Sequence, residues 1–398
     1  MERTRLELLP GVFLTLVRQR ESKTACFRAA LLRQLSREEA AMNALLPETL
    51  LQGTQRHAGA ALLSEALSGL ANARVAPLVR QLGEVQAVGF SAQFDNDPAA
   101  FSALMQTLSA ILLAPDTRFG QLKKEAVAAA LARREAAAEA AARDPFRGLV
   151  EHMCCYEDYA VPVWGEDPEA GPNYYQKLSK HYRAVLAQAP LELYYAGAVP
   201  PREAAAVIAD CFAAMPRGEL DLDLGTDIRM NAVESEPREE NHAGPQGCRS
   251  VAVGWRLGDE MEEPEPPVFE ALACLVGYLS RGLEAEVRLD VHKGLLMVRC
   301  DTDDAMAPAA AETLRNVMAT IRDAEVSPAA LAEARKERVD ALRALEGDAG
   351  ALEAFWLEQD LLGLELAPDE YAAFIQETTM QDVVRAAAAA ECDAILFE

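Results

Sequence analysis

The chain has 398 residues, more than a typical single domain, and this length predicts two or three domains. Half of the residues are hydrophobic and a quarter are charged, as expected for a soluble globular protein. With 38 basic against 63 acidic residues the formal net charge is −25, which argues against binding to nucleic acid or to an anionic membrane surface. The same charge favours basic peptides or a basic partner, with solubility alone as the alternative.

Eight cysteines are scattered along the chain without the regular spacing of a disulfide framework. The N-terminal stretch MERTRLELLPGVFLTLV is too charged for a signal peptide, and its apolar run is too short. No apolar run reaches the length that a transmembrane helix needs. These features predict a cytoplasmic protein in a reducing compartment.

The first half of the chain is predicted to alternate between strands and helices, because apolar residues recur first at every second position and then at every third or fourth. The apolar residues of the second helix predict a broad core face. Predicted strands cover residues 11–17, 24–32, 83–94 and 191–199, and predicted helices cover 36–53, 56–70, 98–113, 119–143, 174–187 and 200–214.

The first of these helices lies in the segment 36–54, SREEAAMNALLPETLLQGT. Ser36 and Glu39 have the spacing of a capping box, and the apolar residues that follow predict an amphipathic helix. Gly53 is expected to end the helix in a left-handed conformation. Pro47 lies inside the helix, where it removes one backbone hydrogen bond, so a kink is expected there.

The sequence NALLPETLLQGT resembles the segment of insulinase/pitrilysin metallopeptidases that carries an inverted zinc motif, His-x-x-Glu-His, shortly before Gly-Thr. When the two are aligned on Gly53-Thr54, the histidine positions fall on Ala44 and Glu48, and the catalytic glutamate position falls on Pro47. Catalytic zinc needs about three protein ligands, so the resemblance implies the family fold without zinc and without catalytic residues. Asn-Ala-Leu-Leu-Pro is similar to a bacterial branch whose members occur beside an intact zinc-binding paralogue.

The resemblance also implies where a peptide and a third zinc ligand would lie. In the family, the segment corresponding to residues 88–92 is a sheet edge to which a peptide substrate adds as a strand. The alternative is an ordinary sheet strand. The third ligand is a glutamate on the helix predicted at 119–143, where sequence distance points to Glu125 and the apolar pattern points to Leu131. The residues of the expected edge strand are Val88, Gly89, Phe90, Ser91 and Ala92.

Residues 216–247 are acidic and rich in glycine, proline and asparagine, so they are predicted to link two halves. After them the order of strand, helix, strand, two helices, helix and strand occurs again. Ser327 is a predicted helix cap, and Thr379 and Asp382 have the spacing of a capping box. Predicted strands of this half cover residues 249–257, 293–301 and 392–397, and predicted helices cover 267–278, 307–323, 328–346 and 383–390.

The predicted fold class is therefore α+β, with an N-terminal insulinase-like domain at 1–215 and a shortened C-terminal one at 248–398. Each domain is expected to be a mostly antiparallel sheet covered by helices, and the resemblance implies a clamshell arrangement. The shortening falls at 280–292, where the family carries an arginine–tyrosine pair that contacts substrate. Arg281 and Arg288 are the candidates for that arginine.

The other possible metal ligands in the sequence do not make up a complete site. His152 and Cys155 are three residues apart and can share a helix face, but two ligands fall short of a site. The favoured interpretation is a partly buried histidine beside structural cysteines. His57 lies just beyond the degenerate motif and is a candidate neighbour of Glu48.

The sequence thus predicts a catalytically inactive insulinase-family homologue without a cofactor. It would be a structural or substrate-presenting subunit in a heterodimer with an active zinc peptidase paralogue, and a peptide would be its ligand. Two alternatives stay open. One is an active zinc-dependent endopeptidase with atypical ligands, and the other is a stand-alone peptide-binding scaffold.

Overall fold

The computed structural model describes residues 3–227, 236–242, 247–257 and 265–398. They form two compact units, each built on one sheet with helices on its faces. Each unit combines separate stretches of the sequence, whereas the predicted domains 1–215 and 248–398 are each continuous. Unit 1 is Met1–Ala141, Val161–Gly225 and Gly347–Leu364, and unit 2 is Ala142–Ala160, Thr226–Glu346 and Glu365–Glu398.

The helices and strands are numbered in chain order. The strands of the described residues are β1 (Arg3–Leu9), β2 (Val12–Arg18), β3 (Thr24–Gln34), β4 (Arg74–Leu82), β5 (Val85–Asp95), β6 (Thr117–Arg118), β7 (Gln121–Leu122), β8 (Leu191–Gly197), β9 (Arg238–Asn241), β10 (Arg249–Arg256), β11 (Glu286–Asp290), β12 (Leu295–Thr302) and β13 (Glu391–Phe397). The helices are α1 (Ala40–Leu50), α2 (Ala60–Gly69), α3 (Phe101–Leu113), α4 (Lys124–Ala141), α5 (Arg147–Met153), α6 (Tyr174–Gln188), α7 (Pro201–Phe212), α8 (Pro266–Ser280), α9 (Ala307–Arg322), α10 (Pro328–Ala334), α11 (Lys336–Ala344), α12 (Ala349–Leu361), α13 (Pro368–Glu377) and α14 (Met380–Ala389).

The sheet of unit 1 has the order β1-β2-β8-β3-β5-β4. Its neighbouring strands are antiparallel except β2 and β8, which run parallel. Apolar side chains of one face pack with helices α1, α3, α6 and α7 into the main core. Strand β8 is buried along its whole length, so its sequence is mostly apolar and aromatic rather than alternating, and its one charged residue, Glu192, pairs with Arg5 at 2.8 Å.

The sheet of unit 2 repeats this pattern, with the order β11-β12-β10-β13-β9. Strands β11, β12, β10 and β13 are antiparallel neighbours, and β9 pairs with β13 in parallel, as β2 does with β8. The predicted α+β class with two mostly antiparallel sheets is thus confirmed. Strand β9 lies inside the predicted linker 216–247, of which 228–235 and 243–246 fall outside the described residues.

Each sheet is covered on its second face by a helix from the other half of the sequence. Helix α12 packs on β3 and β8 of unit 1, and its Leu357 belongs to one apolar cluster with Ala30 of β3 and Ala87 of β5. Helix α5 packs on β10 and β13 of unit 2, where Leu149 and Met153 join the apolar cluster. This exchange of segments is why the units are discontinuous.

Several predicted elements need correction. Strands β1 and β4 and helices α5, α12 and α13 were not predicted, and the helix expected over 328–346 is divided into α10 and α11. The helix expected from residue 119 begins at Lys124, after the β6–β7 hairpin. Helix α2 buries only Leu63 and Leu67, so its core face is narrow rather than broad. The caps at Ser327 and at Thr379 with Asp382 are confirmed.

Candidate functional site at the degenerate zinc motif

Helix α1 carries the degenerate motif and is almost enclosed by the protein. Nine of its eleven residues are buried, so it is not amphipathic as its sequence predicted. The helix begins at Ala40, and Ser36 lies in the preceding turn, where its hydroxyl accepts from the backbone N–H of Glu39 at 3.3 Å. The predicted capping box would start the helix at Ser36, whereas the helix starts four residues later, so the prediction is wrong in the position of the cap. The expected kink at Pro47 remains a prediction.

The chain after α1 folds back sharply at the Gly-Thr pair. Gly53 has a φ of +143°, and a Cβ added there would lie 2.4 Å from the backbone nitrogen of Gly59. This φ is positive but outside the left-handed helical region that was expected. Thr54 is fully buried, its N–H donates to the carbonyl of His57 at 2.9 Å, and its hydroxyl accepts from the N–H of His57 at 3.1 Å. His57 thus closes a turn, with backbone contacts to Thr54.

The three motif positions hold no set of metal ligands. Ala44 is fully buried, Pro47 is buried, and neither side chain has an atom that binds zinc. Glu48 has a side chain 15% exposed, and its Oε2 accepts from Nη1 of Arg133 at 2.5 Å. A guanidinium from the same chain therefore neutralises the one carboxylate of the motif.

Arg133 belongs to α4, the helix on which the resemblance places the third ligand. Of the two candidates on that helix, Glu125 is exposed in the first turn and Leu131 packs against the apolar core. The residue of α4 that the structure brings to Glu48 is Arg133. Sequence reasoning missed it, because a pair 85 residues apart leaves no periodic signal.

A buried polar network lies behind the motif. Asn43, fully buried, donates from Nδ2 to Oε1 of Gln86 at 2.9 Å, and its Oδ1 lies 2.7 Å from Nε2 of His181. Gln86 in turn donates to the carbonyls of Ala40 at 3.1 Å and Val163 at 2.6 Å. Burial lowers the pKa of His181, so the ring is neutral and its Nε2–H donates to Asn43. The asparagine of Asn-Ala-Leu-Leu-Pro thus joins α1 to β5 and α6.

A second group of contacts fixes the loop that follows residue 160 against α1. Arg134 is buried and donates to the carbonyls of Trp164 at 2.7 Å and Glu166 at 2.7 Å. Gly165 has a φ of +65°, and a Cβ added there would lie 2.2 Å from the backbone nitrogen of Ala41. Only glycine allows this close approach to the start of α1.

The Glu48–Arg133 pair lies at one side of an open cleft of about 530 Å³ in unit 1. Its other walls come from α2 and from β4, the last strand of the sheet among the described strands. Pro77 lies in β4, and proline within a sheet is confined to edge strands because it has no N–H to donate. The larger apolar residues that line the cleft are Leu51, Leu63, Leu67, Val75 and Pro77.

The position of β4 corrects the expectation for residues 88–92. These residues lie in β5, which pairs with β3 on one side and with β4 on the other. Because both sides of β5 are occupied, Val88, Gly89, Phe90, Ser91 and Ala92 offer no free edge to a peptide. Pro77 was the sequence signal that could have identified β4 as the edge.

Known proteins resemble this chain over nearly its whole length. No profile of a known protein family matches the chain. A Bacillus subtilis protein named "Probable inactive metalloprotease YmfF" is 21% identical over 411 residues, covering 97% of this chain and 95% of that protein. The crystal structure of a conserved protein from Enterococcus faecalis V583 superposes with a TM-score of 0.83 at 18% identity, over 99% of this chain and 98% of that one.

A crystal structure of a peptidase M16 inactive domain from Pseudomonas fluorescens superposes with a TM-score of 0.73 at 14% identity, over 100% of this chain and 97% of that one. This chain has the M16 peptidase fold. The resemblance to the insulinase/pitrilysin (M16) family, predicted from NALLPETLLQGT, is confirmed by these relatives over nearly the whole chain.

The remaining candidates predicted from the sequence lie in unit 2. His152 pairs with Glu240, its Nδ1 lying 2.7 Å from Oε2, and Cys155 is exposed just beyond α5. Arg288 donates to Asp144 at 2.6 Å. The guanidinium of Arg281 stacks on the ring of Tyr278 at 3.8 Å.

Neither a metal-binding cluster nor a membrane-spanning helix is present in the described ranges. No group of three or more His, Cys, Asp or Glu side chains is arranged there to hold a metal ion. None of the helices in these ranges combines the length and the apolar character that a bilayer crossing requires.

Proposed function

We propose that this chain is a catalytically inactive M16-type subunit that presents peptide to an active zinc peptidase paralogue. The observation that carries the proposal is the pair between Glu48 and Arg133 at the degenerate motif. A catalytic zinc site needs three ligands and an open position, whereas the motif here offers one carboxylate already paired with a cation. The relative named an inactive metalloprotease supports the same conclusion.

Zinc does not fit the motif. At positions 44 and 47 a methyl group and a pyrrolidine ring stand where ligand and base would be required, and both residues are buried. A metal near Glu48 would also have to compete with the guanidinium of Arg133 at 2.5 Å. The chain is therefore proposed to work without a metal cofactor.

The cleft beside β4 supports a peptide as ligand. An extended peptide adds to an exposed sheet edge through main-chain hydrogen bonds, and neighbouring apolar walls give room for its side chains. The net charge of −25 favours a basic peptide. Proline is tolerated in β4 only where its nitrogen points away from the neighbouring strand β5. Val75 and Val79 lie two residues before and after Pro77, so their N–H groups also point away from β5 and towards the free edge.

A paralogue with intact His-x-x-Glu-His would supply the chemistry in a heterodimer. Eight free cysteines support a reducing, cytoplasmic location. A stand-alone peptide-binding scaffold is the second candidate, and the same cleft supports it.

The test is to purify this chain alone, the paralogue from the neighbouring reading frame alone, and the two together. We expect peptide hydrolysis by the mixture, none by this chain alone, and co-elution of the two in size-exclusion chromatography. Val75→Pro should lower peptide affinity, measured by fluorescence anisotropy with a labelled lysine-containing decapeptide, while circular dichroism shows an unchanged fold. Co-elution failing while peptide still binds would favour the stand-alone scaffold.

A further inference from the structure

The β6–β7 hairpin of unit 1 holds an aromatic ring out in solvent. Phe119 is 94% exposed, the highest fraction among the large hydrophobic residues that the structure describes. It forms the two-residue turn with Gly120, and both residues have positive φ, +52° and +74°. Turns of this kind favour Asn-Gly or Gly-Gly, because a bulky side chain is strained in the left-handed region.

Phe119 adds little to the stability of the folded protein. Its backbone is strained and its ring buries almost no apolar surface, so folding stability does not account for it. The guanidinium of the neighbouring Arg118 lies 5.6 Å from the ring centre. An exposed aromatic residue beside an arginine is the composition typical of an interface anchor.

The hairpin is held rigidly on α6. Nη1 of Arg183 donates to the carbonyl of Gly120 at 3.0 Å, and the N–H of Leu122 donates to the hydroxyl of Ser179 at 2.9 Å. The turn and strand β7 are therefore fixed on α6. A partner that binds the ring meets it already oriented, which lowers the entropy cost of association.

The base of the hairpin is joined to the segment that follows the degenerate motif. The N–H of Asp116 donates to the carbonyl of Gly53 at 2.9 Å, and its carboxylate accepts from the N–H of Gly59 at 3.1 Å. The same carboxylate pairs with Lys123 at 2.6 Å. Hairpin and motif segment thus form one connected structure in unit 1.

The charged residues around the hairpin are mostly basic, although the protein as a whole is acidic. Helix α6 contacts the hairpin through Ser179 and Arg183, carries the exposed Lys180 between them and contains no acidic residue. Arg118 and Lys124 add two exposed cations, and Glu125 one exposed carboxylate. The chain as a whole carries −25. A surface of this kind attracts an acidic surface and repels a basic one.

We infer that the Phe119 hairpin docks into an acid-rimmed apolar pocket on the active M16 paralogue. The inference rests on the proposed function for the identity of the partner, and on the exposed ring, its rigid support and the local charge for the site. The ring fills the pocket, and the cations around it meet the acidic rim.

The experiment measures the affinity between this chain and the purified paralogue by biolayer interferometry, with Phe119→Asn as the test variant. We expect a loss of at least about 30-fold, since a buried aromatic anchor carries a large share of interface energy. Tyr156→Asn is the matched control, because Tyr156 is 91% exposed in unit 2, and it should leave the affinity unchanged. Lys180→Glu should weaken binding in low salt more than in high salt.

Thermal unfolding separates docking from a structural role. Asparagine suits the left-handed turn, so Phe119→Asn should raise the melting temperature by about 2 °C or leave it unchanged. If Phe119→Asn binds the paralogue as tightly as the wild-type chain does, the docking site is refuted and the proposed function is unaffected. A clear fall in melting temperature would overturn it too, because the ring would then serve the fold. No complex with the wild-type chain would overturn both proposals, and dimerisation of this chain through Phe119 would overturn the choice of partner.

Discussion

Replacing Asn43 by leucine tests whether the degenerate motif now serves the fold. The buried Asn43 is the common partner of Gln86 and His181, so the variant leaves one acceptor and one donor without their hydrogen bonds. A buried polar group left unsatisfied costs about 1–3 kcal/mol. Because the ring of His181 is only half-buried and water can reach part of it, we expect a total loss of about 2–4 kcal/mol.

Urea unfolding followed by circular dichroism measures this loss. The control is Gln52→Leu, because Gln52 is half-exposed at the end of the same segment and donates only to the backbone carbonyl of Glu48 at 3.2 Å. It should change stability by no more than about 0.5 kcal/mol, as surface substitutions usually do. An Asn43→Leu protein as stable as this control would refute the reasoning.

Three further predictions concern buried charge, pH and thiols. Glu353→Gln should cost about 3–5 kcal/mol in thermal unfolding, because Arg28 is fully buried and pairs with that carboxylate at 2.8 Å; an unaltered melting curve would contradict this. Burial lowers the pKa of His181 below its ordinary 6.5, so the unfolded chain binds more protons and stability should fall as the pH drops below about 6.5. His181→Gln should flatten that part of the curve, and an equally steep curve would count against the neutral ring. Cys155 and Cys248 are exposed and should react first with a thiol reagent in the native protein, while burial protects the core thiols and raises the pKa of two of them to about 12; mass spectrometry of the labelled peptides would reveal any other order.

Much of the fold follows from local patterns in the sequence. Strands β3, β8 and β10 and helix α9 were predicted within a few residues, because each has a long apolar repeat with clear breaks at its ends. Strand β4 was missed because Pro77 interrupts its pattern, although the same proline marks an edge strand. The start of α4 was placed too early, since Phe119 and Gly120 were not recognised as a turn.

The candidate site was harder to predict than the fold. The absence of zinc ligands at Ala44 and Pro47 can be read directly from the sequence. The Glu48–Arg133 pair cannot, because its members are far apart in sequence and meet only when α1 packs on α4. The burial of all but two residues of α1 also depends on neighbours that no local pattern contains.

The most direct test of the account is the zinc content of the purified chain after incubation with excess zinc and desalting, measured by plasma mass spectrometry. We predict substoichiometric metal and no peptide hydrolysis, both unchanged in Glu48→Gln, since Glu48 is paired with Arg133 rather than with a metal. One equivalent of retained zinc that is lost in Glu48→Gln, together with hydrolysis by the isolated chain, would contradict the account.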